Sequence, residues 1–260
     1  TGEFLLGSVA VTPVLFESNG TVDPESQNWT AAEIDDALAK VSEGVNWWSD
    51  TLDGLNTVHT VDFVFDNSFA LNPVETGYEP IDRISNNFNL YVGEFLHAQG
   101  FGNVSSIEEG MKQFNAHQRE QMETDWAFTI FMVDSSDDPD GQFLPGGFFQ
   151  TAFAYAGGLF VVTPSTRPAS TIAHEMGHIF WAKDEYAGGA SWTDRRGYYN
   201  SQNLNASDNP TDGFVQEDSI MSGGIVLADA YAANESPDVT LAMIGWRDTD
   251  GDGIGNNADT

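Results

Sequence analysis

Apolar and polar positions along the chain recur with two different periods, which predict strands and helices in succession. Period-two stretches and short apolar runs predict strands at 3–16, 58–65, 126–133, 148–156 and 158–163. Stretches with apolar residues three and four apart predict helices at 30–49, 80–98, 105–124, 168–181 and 236–246. This order of elements predicts an α/β fold, in which helices pack on a twisted mixed sheet.

Local sequence features refine these predictions. Pro13 predicts an interruption of the first strand, because proline has no N–H to donate to a ladder. Thr30, with Glu33 three residues later, has the pattern of a capping box at the start of the first helix. Residues 67–79 and 188–224 are rich in turn-forming residues, and we expect both stretches to be mostly irregular.

The predicted helix 168–181 carries His174, Glu175 and His178. Two histidines four residues apart lie on one face of a helix, about one turn apart, where both imidazoles can bind one zinc ion. Glu175 is rotated by about 100° from His174, so it can reach a water on the zinc but not the ion itself. Zinc lowers the pKa of such a water to about 7, and Glu175 is therefore the predicted general base.

A third protein ligand must come from beyond this helix. If the helix continued, Asp184 would lie about 9 Å further along the axis than His178, too far to share the ion. The helix is therefore predicted to end near Trp181, where the chain folds back. Asp184 is the predicted third ligand; Glu185 or another group is the alternative if the turn is built differently.

The pattern His-Glu-x-x-His-x-x-Trp-x-x-Asp resembles the metzincin clan of zinc endopeptidases, in the form whose third ligand is Asp. The resemblance implies that His174, His178 and Asp184 bind zinc and that Glu175 is the base. Metzincins usually have glycine at the position of Trp181, because a left-handed backbone there costs a bulky residue about 1–2 kcal/mol. The run His-Glu-x-Gly-His, followed by Asp-Glu-Tyr, resembles the bacterial IgA-peptidase-like metallopeptidases more loosely.

Residues 219–222, Ser-Ile-Met-Ser, resemble the Met-turn of the same clan. The resemblance implies that Met221 forms an apolar floor beneath the metal ligands, a role that suits a flexible apolar side chain. Many metzincins have a Tyr two residues after this Met, where this chain has Gly223. Sequence spacing does not choose which other tyrosine supplies a hydroxyl near the zinc; the candidates are Tyr186, Tyr198, Tyr199 and Tyr231.

Composition narrows the possible partners and compartments. The 260 residues carry 40 acidic and 9 basic side chains, for a net charge of −31, and no cysteine. So acidic a surface excludes nucleic acid as a partner and argues against binding to anionic membranes. No apolar run is long enough to span a membrane, and disulfide or thiol chemistry is excluded. We expect a secreted, extracellular monomer, whose acidity fits calcium loading or a salty habitat.

The final residues have the spacing of a calcium-binding loop. Counted from Asp248, acidic residues occupy positions 1, 3, 5 and 12, with glycine at position 6. The predicted calcium ligands are Asp248, Asp250, Asp252 and Asp259, in a pattern that resembles thrombospondin type 3 and dockerin repeats. Two further stretches are weaker calcium candidates, with exposed or turn-forming polar residues as the alternative: 134–141 and 203–212.

These observations predict a metzincin-like catalytic domain at 1–247 and the start of a calcium-binding repeat at 248–260. Within the domain, we expect an upper part at about 1–181 and an irregular lower part at about 182–247, closed by the Met-turn. The expected activity is zinc-dependent hydrolysis of peptide bonds in a protein or peptide substrate. The alternatives are a calcium-rich adhesion or scaffold module with a vestigial zinc site, and a zinc hydrolase acting on another bond, such as a glycan-linked amide.

Overall fold

A mixed β-sheet with helices on both faces organises the computed structural model, which describes residues 2–155 and 157–256. The strands are β1 (Gly7–Ser18), β2 (Val61–Phe65), β3 (Val74–Thr76), β4 (Trp126–Val133), β5 (Phe153–Tyr155), β6 (Phe160–Pro164), β7 (Arg195–Arg196) and β8 (Ser201–Gln202). The helices are α1 (Ala31–Asp53), α2 (Ser68–Leu71), α3 (Phe88–Ala98), α4 (Ile107–Gln121), α5 (Ala169–Ile179), α6 (Gly224–Ala233) and α7 (Asp238–Met243).

The strands of the main sheet are ordered β2-β1-β4-β6-β5, and β3 pairs with the end of β1 beyond β2. All these pairings are parallel except that of β5, which runs antiparallel to β6 at the edge. β7 and β8 form a separate two-stranded ribbon. The predicted α/β class and mixed sheet are therefore confirmed.

Two hydrophobic cores lie on opposite faces of the sheet. Alternation along β1 sends Val9, Val11 and Leu15 towards α1 and α5, while Val14 and Phe16 face α3 and α4. The second core is rich in aromatic rings, several of which meet edge to face. Both faces of β1 and β4 are buried, as expected for central strands of a parallel sheet covered by helices.

Pro13 does not interrupt β1, contrary to the prediction from sequence. The carbonyl of Val11 accepts from the N–H of Asp66, so the odd-numbered residues here direct their backbone groups towards the β2 side. On that side, residues 12–15 have no paired strand, because β2 ends at the level of Val11 and β3 begins at Phe16. The missing N–H of proline therefore costs no ladder hydrogen bond.

Helix α1 begins with the predicted capping box. The hydroxyl of Thr30 accepts from the N–H of Glu33, and the Glu33 carboxylate accepts from the N–H of Thr30. The helix extends to Asp53, beyond its predicted end. Trp47 and Trp48 are buried on it and donate to carbonyl oxygens of the α6 and α5 segments, which ties three helices together.

Gly44 allows α1 to cross α5 at close range, since a Cβ there would lie 2.4 Å from the carbonyl oxygen of Ala169. We expect Gly44→Ala to lower the free energy of unfolding by about 1–3 kcal/mol through overpacking. Gly93 on α3 is the matched control, because its Cβ would make only ordinary contact with Ile107 at 3.5 Å. Gly93→Ala is expected to stabilise by about 0.5–1 kcal/mol. Urea unfolding measures both; equal effects would contradict a close crossing at Gly44.

Several boundaries differ from those predicted. The stretch 67–79 is not simply a loop, because it contains α2 and β3, which are too short to show a periodic pattern. The predicted helix at 80–98 starts only at Phe88, after two 3-10 turns at Pro80–Asp82 and Ser85–Asn87. Proline and the Ser-Asn-Asn run explain this late start, since both disfavour a helix interior.

Helix α6 was not predicted, and its position falls where the sequence suggested irregular structure. Its residues are mostly alanine and other apolar types on every side, so no apolar stripe marks a helix. The rest of 188–223 is largely irregular as predicted, apart from the β7–β8 ribbon. Within residues 2–155 and 157–256, no helix combines the length and apolarity that a bilayer span requires.

Candidate metal centre

Helix α5 presents His174 and His178 on one face, with their ring centroids 5.0 Å apart. The helix ends at Ile179, close to the predicted end, and the chain then folds back towards it. This turn brings Asp184 to both rings. Its Oδ1 lies 3.2 Å from Nε2 of His174 and 3.1 Å from Nε2 of His178. The structure therefore brings together the three predicted ligands.

Trp181 supplies the left-handed residue of this turn, with φ at +80°. Two contacts hold its side chain and compensate the backbone strain. Its indole N–H donates to the carbonyl of Gly2 at 2.8 Å, and the guanidinium of Arg196 lies 5.0 Å from the ring centroid. A tryptophan is therefore compatible with a turn that would otherwise favour glycine, because it anchors the turn to other parts of the fold.

Backbone carbonyls fix the orientation of both imidazoles. Nδ1 of His174 lies 2.8 Å from the carbonyl oxygen of Ile220, and Nδ1 of His178 lies 2.9 Å from that of Ala182. A carbonyl oxygen can only accept, so each Nδ1 carries a hydrogen and donates it. Each Nε2 is then left to bind either a second proton or a metal, as is usual for metal-binding histidines.

The chemistry of the three facing atoms fits a metal ion. Oδ1 of Asp184 is buried and has no hydrogen-bond partner of good geometry among the described residues, although it is close to both Nε2 atoms. Three electron-rich atoms directed at each other are stable only with a positive charge between them, supplied by a proton on an imidazole or by a metal ion. His174, His178 and Asp184 form one of the groups of described residues that could hold a metal ion.

Glu175 lies in the same cleft but outside the ligand group. Its side chain is buried, and burial raises the pKa of its carboxyl, although the two nearby histidines act in the opposite direction. The residues of the cleft wall include Phe149, Phe153 and Ala154, so β5 forms one side of it. A buried carboxylate beside a metal group, facing an open cleft, is suited to moving a proton.

Glu185, the alternative third ligand, does not belong to the group that His174, His178 and Asp184 form. Its side chain is fully buried. One carboxylate oxygen accepts from the hydroxyl of Thr240 at 2.5 Å, and the other accepts from the amide of Asn205 at 2.7 Å. Glu185 therefore anchors the irregular lower part to α7.

Met221 lies directly beneath α5. It is fully buried, and its Sδ occupies the space next to Gly177, where a Cβ would meet it at 2.4 Å. The backbone of the same turn also supports the site, since the Ile220 carbonyl accepts from His174 and the Met221 carbonyl accepts from the N–H of Glu185. The segment 219–222 thus lies where an apolar floor of the metal group would be.

Among the four candidate tyrosines, Tyr186 lies at the site. Its ring stacks on that of His174 with centroids 6.2 Å apart, and burial together with Asp184 raises its pKa to about 12. Tyr231 instead donates to Glu43 at 2.8 Å. Tyr198 packs on Phe4 and Tyr199. The sequence clue was the position of Tyr186, two residues after the third ligand.

The structure brings together three of the four predicted calcium ligands near the carboxyl end of the described chain. The carboxylates of Asp248, Asp250 and Asp252 converge, with ligand atoms within 4.8 Å of one another, but all three residues are exposed. Asp259 lies outside the described residues. His59 docks this loop, because its Nε2 accepts from the N–H of Gly255 at 2.8 Å.

The two weaker calcium candidates do not bring three acidic ligands together within the described part of the chain. In the 203–212 stretch, several polar side chains make hydrogen bonds to other parts of the chain. Asn203 donates to the Asp184 carbonyl at 2.9 Å, and Asp208 accepts from the N–H of Trp192 at 2.7 Å. This irregular loop is therefore held in place by hydrogen bonds, some of which reach the metal group.

Metal binding is expected to release a proton from His178. Burial favours the neutral ring, but the close contact with the Asp184 carboxylate and the charge of Glu175 outweigh it, raising the pKa of His178 to about 9 in the metal-free chain. A metal binds only the unprotonated Nε2. As the pH is lowered from 8.5 to 6.5, the apparent affinity of the protein for the metal should therefore fall about tenfold per pH unit. Titration calorimetry in two buffers of different ionisation enthalpy measures the released proton; an affinity independent of pH would contradict the prediction.

Comparison with models of known protein families and with curated protein sequences gave no match for this chain. What the molecule itself provides is an α/β fold with a buried His-His-Asp group that could bind a metal ion.

Proposed function

We propose that this protein is a secreted zinc endopeptidase of metzincin-like architecture. One observation carries the proposal: two imidazole Nε2 atoms, fixed by backbone carbonyls, face the unpartnered Oδ1 of Asp184 beside the buried carboxylate of Glu175. Two histidines and one carboxylate make a three-ligand set typical of catalytic zinc, which leaves a coordination position for substrate. The Met221 floor and the turn at Trp181 support the metzincin interpretation.

A metal held by these residues would act as a Lewis acid on the scissile carbonyl and on a water molecule. Glu175 takes a proton from the attacking water at its carboxylate and passes it to the amine of the leaving product. The ring of Tyr186 lines the same cleft beside His174, and its hydroxyl is the proposed donor to the carbonyl oxygen as negative charge develops there. Its pKa of about 12 keeps that hydroxyl protonated.

The substrate is proposed to lie along β5 as an added antiparallel strand. β5 is the edge of the sheet, and its residues Phe153 and Ala154 line the cleft together with Glu175. An edge strand offers unpaired N–H and C=O groups, which bind an extended peptide irrespective of its side chains. A cleft open along a sheet edge suits an endopeptidase, because both ends of the peptide can extend beyond it.

The acid-rich composition and the converging carboxylates of Asp248, Asp250 and Asp252 support the proposal of structural calcium and an extracellular location. An adhesion module with a vestigial metal site is the rival. The burial of Glu175 argues against it, because a purely structural metal requires no carboxylate held next to its ligands.

Hydrolysis of a mixture of unfolded proteins, with zinc and calcium present, tests the proposal. Wild-type chain should cleave it, and a chain with Glu175→Ala should not. Metal analysis by mass spectrometry identifies the bound ion, which matters because two histidines and one carboxylate also suit non-haem iron. If neither chain cleaves the mixture although zinc is bound, the result would favour the adhesion module with a vestigial metal site. Equal cleavage by both chains would show that Glu175 is not the general base.

A further inference from the structure

Three carboxylates lie side by side on neighbouring strands of the main sheet. All three precede the metal centre in the sequence by 40 residues or more. Glu17 on β1 is paired with Glu75 on β3. On the other side, Phe16 is paired with Val133, so Glu17 stands beside Asp134, the residue that follows β4. Neighbouring residues of parallel strands project from the same face about 4.8 Å apart. Glu75, Glu17 and Asp134 therefore form a single row, here called the acidic row.

This row faces the helix α1 side of the sheet. Alternation along β1 places Leu15 in the core beneath α1, and Glu17 follows it on the same face. Along β4, Met132 belongs to the same core and Asp134 follows it likewise. Both carboxylates thus lie at the carboxyl ends of central parallel strands, the edge where α/β sheets bind ligands.

The segment before α1 adds more oxygen atoms to the row. The side-chain amide of Asn28 lies against Oε1 of Glu17 at 2.7 Å and against Oε1 of Glu25 at 2.5 Å. The amide oxygen is the atom that faces them, with no hydrogen between the three acceptors. Either a cation lies among these oxygens, or the amide turns round so that its nitrogen donates to both carboxylates.

Asp134 gives an independent indication of a missing positive charge. The residue is only 2% exposed, and its Oδ2 has no hydrogen-bond partner among the described residues. Burial raises the pKa of its carboxyl, and the charge of Glu33 adds to the rise. Burial also raises the pKa of Glu17, and the charges of Asp134 and Glu25 add to the rise.

No basic side chain among the described residues neutralises the acidic row. Arg83 is occupied by both carboxylate oxygens of Asp23, at 2.6 Å each, and Lys40 is paired with Asp36 at 2.7 Å. Across 2–155 and 157–256, no ion pair joins a basic side chain to the acidic row. The N–H of Trp29, which donates to Glu17 at 3.2 Å, supplies only a partial charge.

We propose that Glu17, Glu25, the side-chain oxygen of Asn28 and Asp134 bind a calcium ion. The ligands are all oxygens, and three of them are carboxylates, which is the donor set of calcium sites. The oxygens of the three carboxylates are less tightly grouped than those of Asp248, Asp250 and Asp252. Asp134 therefore reaches the ion after a side-chain rotation or through a water, as calcium shells permit.

Such an ion has a structural consequence that does not depend on the proposed peptidase activity. It joins the end of β1, the end of β4 and the segment that leads into α1. Helix α1 packs on α5, the helix that carries the histidines. Calcium would therefore stabilise the packing beneath the metal centre without contacting the metal ligands.

Thermal unfolding with and without calcium tests the proposal. The chain would carry Asp250→Asn and Asp252→Asn, so that the exposed loop near the carboxyl end does not respond. At about hundredfold excess over the dissociation constant, Ca²⁺ should raise the melting temperature by about 5–10 °C. Adding Asp134→Asn should remove that rise, yet raise the melting temperature in the absence of calcium, because a buried unpaired charge is lost.

Glu120→Gln, on the exposed side of α4, is the matched control and should leave the calcium response unchanged. An absent response in the parent chain, or a full response with Asp134→Asn, would overturn the proposal. Mg²⁺ should have a weaker effect, because it demands stricter geometry and gives up its waters reluctantly.

Asn28→Asp separates the two explanations of the amide. If the oxygen binds calcium, the variant keeps the calcium-induced rise, since a carboxylate replaces an amide oxygen. If instead the nitrogen bridges the two glutamates, the variant unfolds at lower temperature and calcium does not restore it. Terbium, which takes calcium sites, provides a direct probe: its emission on tryptophan excitation should appear in the parent chain and weaken with Trp29→Phe.

Discussion

Replacing Glu175 by glutamine is expected to lower kcat for peptide hydrolysis by about 10²–10⁴-fold, the usual contribution of a positioned general base. Glutamine has nearly the same shape, but its amide cannot take a proton from water. Since Glu175 lies outside the ligand group, the variant should bind metal as tightly as the wild-type chain. KM should change little, because the lost interaction acts on the transition state and not on substrate binding.

The measurement is steady-state hydrolysis of one peptide identified from the protein mixture, with metal content determined on the same samples. Glu120→Gln provides a control for the loss of one negative charge at an exposed position. Retention of more than a tenth of the wild-type kcat by Glu175→Gln would assign proton transfer to another group.

Asp184→Asn is expected to weaken metal binding by about 10²-fold or more. Loss even of a partner that only orients a ligand typically costs 10–100-fold, and Asp184 is a proposed ligand itself. Its Oδ1 lies within 3.2 Å of both histidine Nε2 atoms, and no other described carboxylate joins this group. Activity at low metal concentration should fall in parallel, and excess metal should restore part of it.

Glu185→Gln is the matched control, adjacent in sequence and identical in charge change. Because Glu185 is engaged by Thr240 and Asn205, its replacement should affect stability but leave metal affinity within about threefold. Competition with a fluorescent zinc chelator gives both dissociation constants. The opposite pattern, in which Glu185→Gln loses the metal and Asp184→Asn keeps it, would exchange the two roles.

Much of the site was predictable because its geometry follows from local sequence. Histidines at i and i+4 must share a helix face, and a ligand beyond the helix end requires a turn back at Trp181. The α/β class was likewise predictable from the succession of strands and helices. The capping box at Thr30 follows from residues only three apart, and the structure confirms it.

Other features depend on residues distant in sequence and could not be predicted. Which carbonyl binds each Nδ1 is decided by tertiary packing, since Ile220 comes from a separate turn. The acidic row depends on strand register, because Glu17 and Asp134 meet only when β1 and β4 pair as they do. Pro13 misled the strand prediction for a similar reason: its tolerance depends on a gap between two neighbouring strands.

The hydrogen bond between His174 and the carbonyl of Ile220 also sets an order of events during synthesis. The two residues are 46 positions apart, so a ribosome adding 5–20 residues per second needs about 2–9 s between them. Until Ile220 has emerged and folded, the first histidine lacks the partner that fixes its ring. The nascent chain therefore lacks a completed metal centre at least until Ile220 has been added, so the group cannot bind a metal in its final geometry before that point of synthesis.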